Sequence, residues 1–354
     1  MKYFDGKRVL ITGGTGSLGK TLVRRLLTGQ MGDPDKVIVF SRDEAKQFAM
    51  RADYEQNYAA TDEIAYRNFQ KKLVFWIGDV RDYASIASAL TNADIVFNAA
   101  AMKQVPNCEY FPYEAVKTNI GGAENIVRAI QEHNLPVQRV VGISTDKACK
   151  PVNVMGMTKA VQERVFIQAN MRCPQTQFVC VRYGNVLASR GSVIPFFHEQ
   201  IRNGGPVTIT TSDMTRFLLS LEDAVDTVMA AVIEANKGEI YIPRVPASLV
   251  TNVAKALIGD RNIKMIVTGI RPGEKVHEIL VSDEEANRTV DRGKYYAILP
   301  MLPEIAGNVD FTPALSKEYC SGDEVMSLEE TKVLLQTRRL MLEDVSPQEE
   351  ELLR

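Results

Sequence analysis

Residues 144–159, which read STDKACKPVNVMGMTK, bring several side chains that can move protons into one short segment. Asp146 offers a carboxyl group, and Lys147 and Lys159 offer amines, the groups that enzymes use as general acids and bases. Met155 stands four residues before Lys159, and its thioether has no proton and only weak basicity. We therefore predict that Asp146 and Lys147 carry proton transfer, with Lys159 in the same site and Met155 as an apolar spacer.

A glycine-rich loop follows the first apolar run of the chain. The stretch ITGGTGSLGK places Gly13, Gly16 and Gly19 in a GxxGxxG spacing between a predicted strand and a predicted helix. Without a Cβ atom the backbone can turn tightly and approach a pyrophosphate, whose charge is met by the amides and dipole at the helix N-terminus. The pattern therefore predicts a dinucleotide cofactor. The other predicted contacts in this loop are Thr15, Ser17 and Leu18.

The following strands supply the remaining cofactor contacts. Ser41 and Arg42 end the second predicted strand, where NAD-binding folds usually carry an acid. Since an arginine can pair with a 2′-phosphate, Arg42 favours NADP over NAD, and the adjacent Asp43 leaves NAD open. Asp79 in GDVRD is placed to accept a hydrogen bond from the adenine amino group. The other predicted cofactor contacts are Val80, Ala99, Ala100, Ala101, Asn119, Ser144, Lys159 and Tyr183.

Short β-branched runs alternate with amphipathic helical patterns over the first 185 residues. The runs are almost continuously apolar, which is typical of parallel strands with helices on both faces. We therefore predict an α/β fold with a Rossmann-type doubly wound parallel sheet in residues 1–185, interleaved with later segments. A smaller substrate-binding lobe is predicted in 186–290, and a C-terminal extension that packs or makes oligomer contacts in 291–354. The predicted strands occupy 7–12, 36–40, 72–78, 94–100, 138–144 and 177–185, and one long helix spans 113–134.

The composition limits the classes of partner. The 354 residues are 45% apolar and 24% charged with a formal net charge of −2, which gives no basic field for nucleic acid. The five cysteines show no CxxC pairing and the three histidines no metal-ligand spacing, so we predict reduced thiols and no metal. No apolar run reaches the ~18 residues of a membrane span, and no signal-like segment precedes the first strand. We expect a cytoplasmic protein that binds neither nucleic acid nor membrane.

An ordered set of motifs resembles the bacterial UDP-N-acetylglucosamine 4,6-dehydratases, members of the extended short-chain dehydrogenase/reductase superfamily. The resemblance runs from about residue 5 to residue 285. Within that group, KQVPNCEYFPYEAVKTNI, MTRFLLSLEDAV and Met155, which stands where the superfamily usually has tyrosine, are most similar to the 5-inverting branch that starts N-acetylfucosamine and capsule-sugar synthesis. Besides the glycine loop, the motifs are GDVRD, NAAAMKQVP, EAVKTNI, STDK, VRYGNVLASRGSVIPFF, MTRF and RPGEKVHE.

The resemblance implies an internal redox cycle in which NADP+ takes hydride from sugar C4, water is lost across C5 and C6, and the hydride returns to C6. It implies Asp146 as the acid toward the 6-hydroxyl and Lys147 as the base at C5, and it leaves the acceptor of the 4-hydroxyl proton open. We expect burial beside Lys159 and an oxidised nicotinamide to lower the pKa of Lys147, so that its amine can act as a base. Lys159 is expected to hold the nicotinamide ribose.

A UDP-sugar such as UDP-N-acetylglucosamine would bring two phosphates to a protein with little net charge, so a few arginines must converge on them. The candidates are Arg190, Arg216 and Arg271. Asn185 can hydrogen-bond a phosphate or sugar, and Lys103 is predicted to point from the fourth βα loop toward the sugar. The other predicted substrate contacts are Ser192 and Glu274.

Other functions use the same framework. UDP-sugar 4-epimerases and reductases oxidise C4 but need no acid and base at C5 and C6, and they generally keep the tyrosine. A C5-retaining dehydratase differs in the face of the intermediate that receives the returning proton. A non-catalytic NADP sensor would account for Met155 but not for Asp146, Lys147 and Lys159 together. The resemblance also implies a homo-oligomer, either a dimer or a hexamer.

Overall fold

The structure is a computed structural model that describes residues 2–55, 63–187, 193–270, 273–307 and 310–344. Within these ranges the strands are β1 (Arg8–Thr12), β2 (Lys36–Ser41), β3 (Leu73–Ile77), β4 (Ile95–Asn98), β5 (Arg139–Ile143), β6 (Gln177–Val181), β7 (Val207–Ile209), β8 (Thr215–Phe217), β9 (Ile240–Pro243), β10 (Ala247–Leu249), β11 (Met265–Val267), β12 (Ile279–Val281), β13 (Thr289–Arg292), β14 (Tyr295–Ile298), β15 (Tyr319–Cys320) and β16 (Val325–Met326).

The helices in the same ranges connect these strands. They are α1 (Ser17–Leu27), α2 (Glu44–Asp53), α3 (Glu63–Lys72), α4 (Tyr83–Leu90), α5 (Val105–Tyr110), α6 (Pro112–Ala115), α7 (Gly122–Glu132), α8 (Val154–Arg172), α9 (Val193–Arg202), α10 (Leu221–Glu234), α11 (Val250–Ile258), α12 (Asp283–Ala286), α13 (Pro303–Ala306) and α14 (Leu328–Thr337). A π-helical turn spans Val116–Gly121 and a 3₁₀ turn spans Asp146–Ala148.

The main sheet has the strand order β13-β14-β9-β6-β5-β4-β1-β2-β3. The strands from β3 to β9 in this order pair in parallel, and β14 and β13 pair antiparallel at one edge. The strand order reverses beside β1, where ligands of doubly wound folds bind. The predicted α/β fold with a doubly wound parallel sheet is confirmed, and the carboxyl ends of β1, β4 and β5 meet at one edge.

Both faces of this sheet are buried, which explains why its strands are apolar almost throughout. Val9 and Ile11 pack on one side with residues of α1 and α10. Leu10, between them in sequence, packs on the other side with residues of α4, α7 and α8. The sheet therefore forms a rigid layer between two helical layers, and its edges hold the loops that carry polar side chains.

The chain returns to the main sheet after residue 185. β9 pairs with β6, and the β13–β14 hairpin pairs with β9, so the predicted boundary between 290 and 291 falls inside β13. The hairpin lies there because its antiparallel hydrogen bonds cover the open edge of β9. A third apolar cluster joins α9, β7 and α11 with Leu335 and Met341, which lie beyond the hairpin. Residues of the predicted lobe and of the predicted C-terminal extension therefore share a core.

The helix predicted over 113–134 is interrupted. It consists of α6, a π-helical turn and α7, and the turn contains Asn119, whose side chain is completely buried. π-Helical turns are rare, and they occur frequently at functional sites. The strand predicted over 177–185 also ends early, at Val181, because the next residues leave the sheet toward the candidate site.

Candidate active site

At the carboxyl end of β1, the backbone of the glycine loop contacts the backbone of the loop that follows β4. Gly13 has a φ of +65°, and a Cβ atom there would lie 2.8 Å from the backbone nitrogen of Ala100. α1 begins at Ser17 with Gly16 as its N-cap, so no side chain occupies the cap and no acid lies in the first turn. Amides at such a helix start attract phosphate groups, and the residues present therefore fit the pyrophosphate of a dinucleotide.

The residues predicted to meet the adenosine end lie at the carboxyl ends of β2 and β3. The hydroxyl groups of Thr15 and Ser41 are 3.1 Å apart. The Asp43 carboxylate caps α2 by accepting from the backbone nitrogen of Lys46 at 3.0 Å. Arg42 is exposed, and its Nη1 lies 3.7 Å from Asp79 Oδ2. An exposed cation thus stands beside the acid predicted to meet adenine.

Asp79 itself is held by a neighbouring arginine. Arg81 donates to the Asp79 carboxylate through its backbone nitrogen at 3.0 Å and through Nη2 at 2.6 Å. Burial alone would raise the pKa of Asp79, but these bonds hold it below its ordinary value. Val80 is buried, and its carbonyl accepts from Asn125. This hydrogen bond connects the loop after β3, which is predicted to contact the cofactor, to α7.

Asn119 braces the loop that follows β4. Its Oδ1 accepts from the backbone nitrogen of Met102 at 2.8 Å, and its Nδ2 donates to Met102 O at 3.0 Å and to Thr158 Oγ1 at 2.9 Å. The loop of Ala99, Ala100 and Ala101 is thereby fixed between the glycine loop and α8. In the structure Asn119 positions this loop, and its predicted contact with the cofactor stays a prediction.

Asp146 and Lys147 form a 3₁₀ turn directly after β5. Asp146 is completely buried, and its Oδ1 accepts from Thr145 Oγ1 at 2.6 Å and from Lys147 Nζ at 3.2 Å. Lys147 Nζ also donates to Oδ1 of Asn185 at 3.1 Å. The acid, the amine and a predicted substrate contact therefore meet at the carboxyl edge of the sheet.

The close contact of α8 with this turn depends on Gly156. A Cβ atom at this position would lie 2.1 Å from the carbonyl oxygen of Lys147. Asn153 caps α8 by accepting from the backbone nitrogen of Gly156 at 2.8 Å. Met155 is 5% exposed and packs with Cys108 and Ala115 in a small apolar cluster. That packing agrees with an apolar spacer, although the predicted role itself is not tested.

Glu278 is a site residue that the sequence analysis missed. It precedes β12, its side chain is 5% exposed, and its Oε1 lies 3.7 Å from Lys147 Nζ and 3.5 Å from Arg216 Nε. Its backbone nitrogen donates to Ser321 Oγ at 2.9 Å. The only signal was its place at the end of RPGEKVHE, and more than a hundred residues separate it from Asp146 in sequence.

The predicted direction of the Lys147 pKa is wrong. Burial lowers it, as expected, but the carboxylates of Asp146 and Glu278 outweigh burial and hold the pKa of Lys147 above its ordinary value. For Asp146, burial would raise the pKa, and Lys147 and Thr145 bring it below its ordinary value. The nearby cation Lys159 is visible in the local sequence, whereas the second buried carboxylate, Glu278, reaches Lys147 only through the fold.

Lys159 is the amine that has the lowered pKa. It is 5% exposed and donates to Gln162 Oε1 at 2.7 Å, and burial lowers its pKa from 10.5 to about 8. Ser144 donates to Glu163 Oε1 at 2.5 Å, one helical turn further along α8. Tyr183 is buried, and its carbonyl accepts from the backbone nitrogen of Asp146 at 3.0 Å.

The structure brings only some of the predicted substrate-binding residues close to Asp146 and Lys147. Arg216 donates through Nη1 to the carbonyls of Thr215 at 2.7 Å and Val276 at 3.1 Å, and it faces Glu278. Lys103 is exposed and Glu274 is half-buried. Arg190, Ser192 and Arg271 lie outside the described residues.

The described residues lack the features of two other classes of protein, metal-binding and membrane-spanning. No group of three or more histidine, cysteine, aspartate or glutamate side chains in these ranges is arranged to hold a metal ion. In the same part of the chain, no helix has both the length and the apolar content needed to cross a membrane.

The sheet order, the glycine loop and the turn after β5 define a Rossmann-type fold of the short-chain dehydrogenase/reductase kind. The chain belongs to the polysaccharide biosynthesis protein family, whose profile matches residues 9–300. It is 43% identical to a UDP-N-acetylglucosamine 4,6-dehydratase (inverting) of Campylobacter jejuni, over 87% of each chain. It is 44% identical to a protein named UDP-glucose 4-epimerase of Rickettsia conorii, over 97% of this chain and 95% of that one.

A solved structure extends the match to the whole fold. The X-ray structure of Pen from Bacillus thuringiensis is 34% identical and superposes with a TM-score of 0.84, covering 96% of this chain and 99% of that chain. The predicted family resemblance is confirmed. The relatives have two different activity names, so the choice between those activities depends on the site.

Proposed function

We propose that this chain is a UDP-N-acetylglucosamine 4,6-dehydratase of the C5-inverting type. The observation that carries the proposal is the buried Asp146 with Lys147 Nζ at 3.2 Å, at the same sheet edge as the glycine loop and beside Met155. An acid and an amine at this position suit an elimination, whereas an oxidation and reduction at C4 alone would leave both without a task. The name of the C. jejuni relative supports the same reaction.

The cofactor proposed for this site is NADP. A nicotinamide dinucleotide supplies the acceptor for the hydride of sugar C4 and the donor for C6. Gly13, Gly16 and the start of α1 would hold its pyrophosphate, Lys159 its nicotinamide ribose and Arg42 its 2′-phosphate. The Asp43 carboxylate already accepts from the backbone nitrogen of Lys46 and pairs with Lys46 Nζ, which leaves it less free to accept from a ribose hydroxyl. This arrangement supports NADP over NAD.

The proton transfers fall to the turn after β5. Asp146 would protonate the departing 6-hydroxyl, and Lys147 would take the C5 proton. Since Asp146 and Glu278 hold the pKa of Lys147 high, its amine enters the cycle as an ammonium and must lose a proton first. A positive charge nearby, such as that of an oxidised nicotinamide, favours this loss.

A UDP-sugar 4-epimerase is the second candidate, because the R. conorii relative has that name and matches nearly the whole chain. Proton and carbon NMR of the product from UDP-N-acetylglucosamine in deuterated water separates the candidates. We expect a 4-keto-6-deoxy sugar with deuterium at C5 and inverted C5 configuration. A retained C5 would favour the retaining dehydratase, and a 4-epimer with intact C6 and no deuterium would overturn dehydration.

The partner proposed for the assembled enzyme is a second copy of this chain. α5 and α6 contact α8, and these elements expose Tyr110 (81%), Tyr113 (67%) and Met157 (50%). Three large apolar side chains on contacting elements suit an interface between copies. We also propose a cytoplasmic location, which five cysteines without a disulfide support.

A further inference from the structure

Two buried carboxyl groups face one amine in the candidate active site. Lys147 Nζ lies 3.2 Å from Asp146 Oδ1 and 3.7 Å from Glu278 Oε1. Arg216 approaches Glu278 from β8, with Nε at 3.5 Å from Oε1. Asp146 is completely buried and the Glu278 side chain is 5% exposed. Among the described residues, the charged groups that act on Glu278 are Asp146, Lys147 and Arg216.

One oxygen of Glu278 is reached by no hydrogen-bond donor among the described residues. Oε2 is buried and accepts no hydrogen bond from any of the residues that the structure describes. An ionised carboxylate would leave this oxygen both desolvated and unbonded, which is costly in a protein interior. A proton on this carboxyl group lowers the free-energy cost of burying it, because a neutral carboxyl group loses much less hydration energy than a carboxylate.

The pKa shifts of the two carboxyl groups favour a proton on Glu278 and an ionised Asp146. Burial, and next the charge of Asp146, raise the pKa of Glu278. The pKa of Asp146 is held down by Lys147 despite burial. Two close carboxyl groups that share cations lose their protons in two separate steps, so the pair keeps one proton over a wide pH range.

We propose that Glu278 holds the proton that Asp146 delivers, so that the two carboxyl groups act together as one acid carrying one proton. This inference rests on the proposed dehydration. An O–H bond of Glu278 first breaks as an O–H bond forms on Asp146. That Asp146 O–H bond then breaks as the 6-oxygen takes the proton, and the C6–O bond breaks to release water. Over the cycle the proton lost by the 4-hydroxyl replaces the one that left with water, so the pair returns to its starting state.

This arrangement explains how Asp146 can serve as an acid. With Lys147 beside it, an isolated Asp146 would be ionised at neutral pH and would have no proton to give. Glu278 keeps that proton in reach and holds it in the resting enzyme. Glu278 is thus a positioning residue for a proton, and it acts through Asp146 rather than on the sugar.

The test is the pH profile of kcat for Glu278→Gln, which keeps the shape of the side chain. In this variant no second carboxyl group holds a proton for Asp146, whose pKa Lys147 keeps below its ordinary value, so the acid loses its only proton at lower pH. We expect the alkaline limb of the kcat profile to move to lower pH and kcat at neutral pH to fall by about 10²-fold. Glu278→Asp, which keeps the carboxyl group, should retain the wild-type limb.

The matched control is Glu239→Gln, which removes another buried carboxylate. Glu239 is 1% exposed and pairs with Arg292 Nη2 at 2.7 Å, at the antiparallel end of the main sheet. Its profile should coincide with that of the wild type. A Glu278→Gln enzyme with lowered kcat but an unshifted profile would mean a purely structural role and would overturn the proposal.

A measurement on the wild-type holoenzyme keeps the test valid if Glu278→Gln does not fold. Infrared spectra of protein labelled with ¹³C-glutamate should show the C=O stretch of a protonated glutamate at neutral pH. Absence of that band would overturn the proposal. Because the spectrum needs no substrate, it is independent of the proposed function, whose failure would appear as a wild-type enzyme that forms no 4-keto product.

Discussion

Arg182 Nη2 lies 2.7 Å from Glu163 Oε2, and both side chains are 1% exposed. The same guanidinium donates from Nη1 to Glu285 Oε2 at 2.7 Å. Arg182 follows β6, Glu163 belongs to α8 and Glu285 to α12, so one buried cation joins three parts of the structure. Because α8 also carries Lys159, this ion triad fixes the position of a site residue relative to the sheet.

Arg182→Met should destabilise the protein strongly. It removes the ion pair of the buried Glu163 and leaves Glu285 with only the more distant Arg288 and Arg164, at 3.9 and 4.0 Å. Breaking a buried pair in this way costs about 3–5 kcal/mol. Denaturant unfolding measures the loss. Arg172→Met is the control, since its pair with Glu124 is 26% and 42% exposed and should be worth about 1 kcal/mol or less. Equal losses in the two variants would contradict the importance of burial.

Lys147→Ala should abolish dehydration, because it removes the proposed base at C5. Asp146→Asn keeps the shape and removes the acid, so kcat should fall by about 10²–10⁴-fold. Met155→Leu keeps an apolar side chain in the cluster with Cys108 and is the matched control, with kcat close to wild type. Product formation followed by NMR checks all three. A Met155→Leu enzyme as impaired as Lys147→Ala would show that the proton transfers belong to other residues.

Arg42→Ala should weaken NADP binding much more than NAD binding. The side chain is 61% exposed next to Asp79, and a lost charge-assisted bond to a 2′-phosphate costs roughly 1–3 kcal/mol. Calorimetric titration with both dinucleotides measures the difference. Lys46→Ala, which removes a nearby cation that pairs with Asp43, should leave the preference unchanged. Equal losses for NAD and NADP after Arg42→Ala would remove the basis for NADP.

Lys159→Met should raise the free energy of unfolding of the cofactor-free protein at pH 7. Burial lowers the pKa of Lys159 from 10.5 to about 8, so the charged amine disfavours the folded state. That penalty is complete below about pH 8 and disappears as the pH rises to about 10.5. We expect a gain of up to about 3 kcal/mol at pH 7 and a smaller gain at pH 10.

Denaturant unfolding at both pH values measures this gain, and Lys71→Met, which removes an exposed lysine, serves as the control. A Lys159→Met variant that is less stable at pH 7 would mean that the bond to Gln162 outweighs the cost of burying the charge. The same variant should bind NADP more weakly, since it lacks the amine proposed to hold the ribose.

Replacing Tyr110 and Met157 together by lysine should dissociate the oligomer. Both side chains lie on the exposed apolar surface of α5 and α8, and two charges there would have to be desolvated in an interface. Light scattering coupled to size-exclusion chromatography measures the mass. Phe48→Lys alters a residue that is 72% exposed on α2, and it should leave the mass unchanged. A wild-type protein that is already monomeric would contradict the proposal.

Local patterns were sufficient to predict most of the fold and to place Asp146 and Lys147 at the carboxyl edge of its sheet. Apolar runs predicted the parallel strands, and the glycine spacing predicted a loop in which Gly13 touches Ala100. Asp146 and Lys147 were found because they are adjacent in a recognisable segment. These features depend on residues that are close together in the sequence, so the sequence alone is enough to predict them.

The features that the sequence did not reveal depend on distant contacts. Glu278 lies 131 residues after Lys147 in the sequence, so nothing near either residue indicates the ion pair or its effect on the Lys147 pKa. The break at Asn119 has the same origin, since its side chain bonds Met102 and Thr158. The spacing of apolar residues along a helix does not reveal hydrogen bonds to distant residues such as these.

Ser321 follows Glu278 by 43 residues, is completely buried, and exchanges backbone and side-chain hydrogen bonds with it. During synthesis, the ribosome therefore delivers Asp146 and Lys147 well before it delivers the residue that anchors their third partner. A nascent chain can assemble the strands from β1 to β6 while Glu278 still lacks its support. The hydrogen bonds that hold Glu278 can therefore form only after synthesis has passed Ser321.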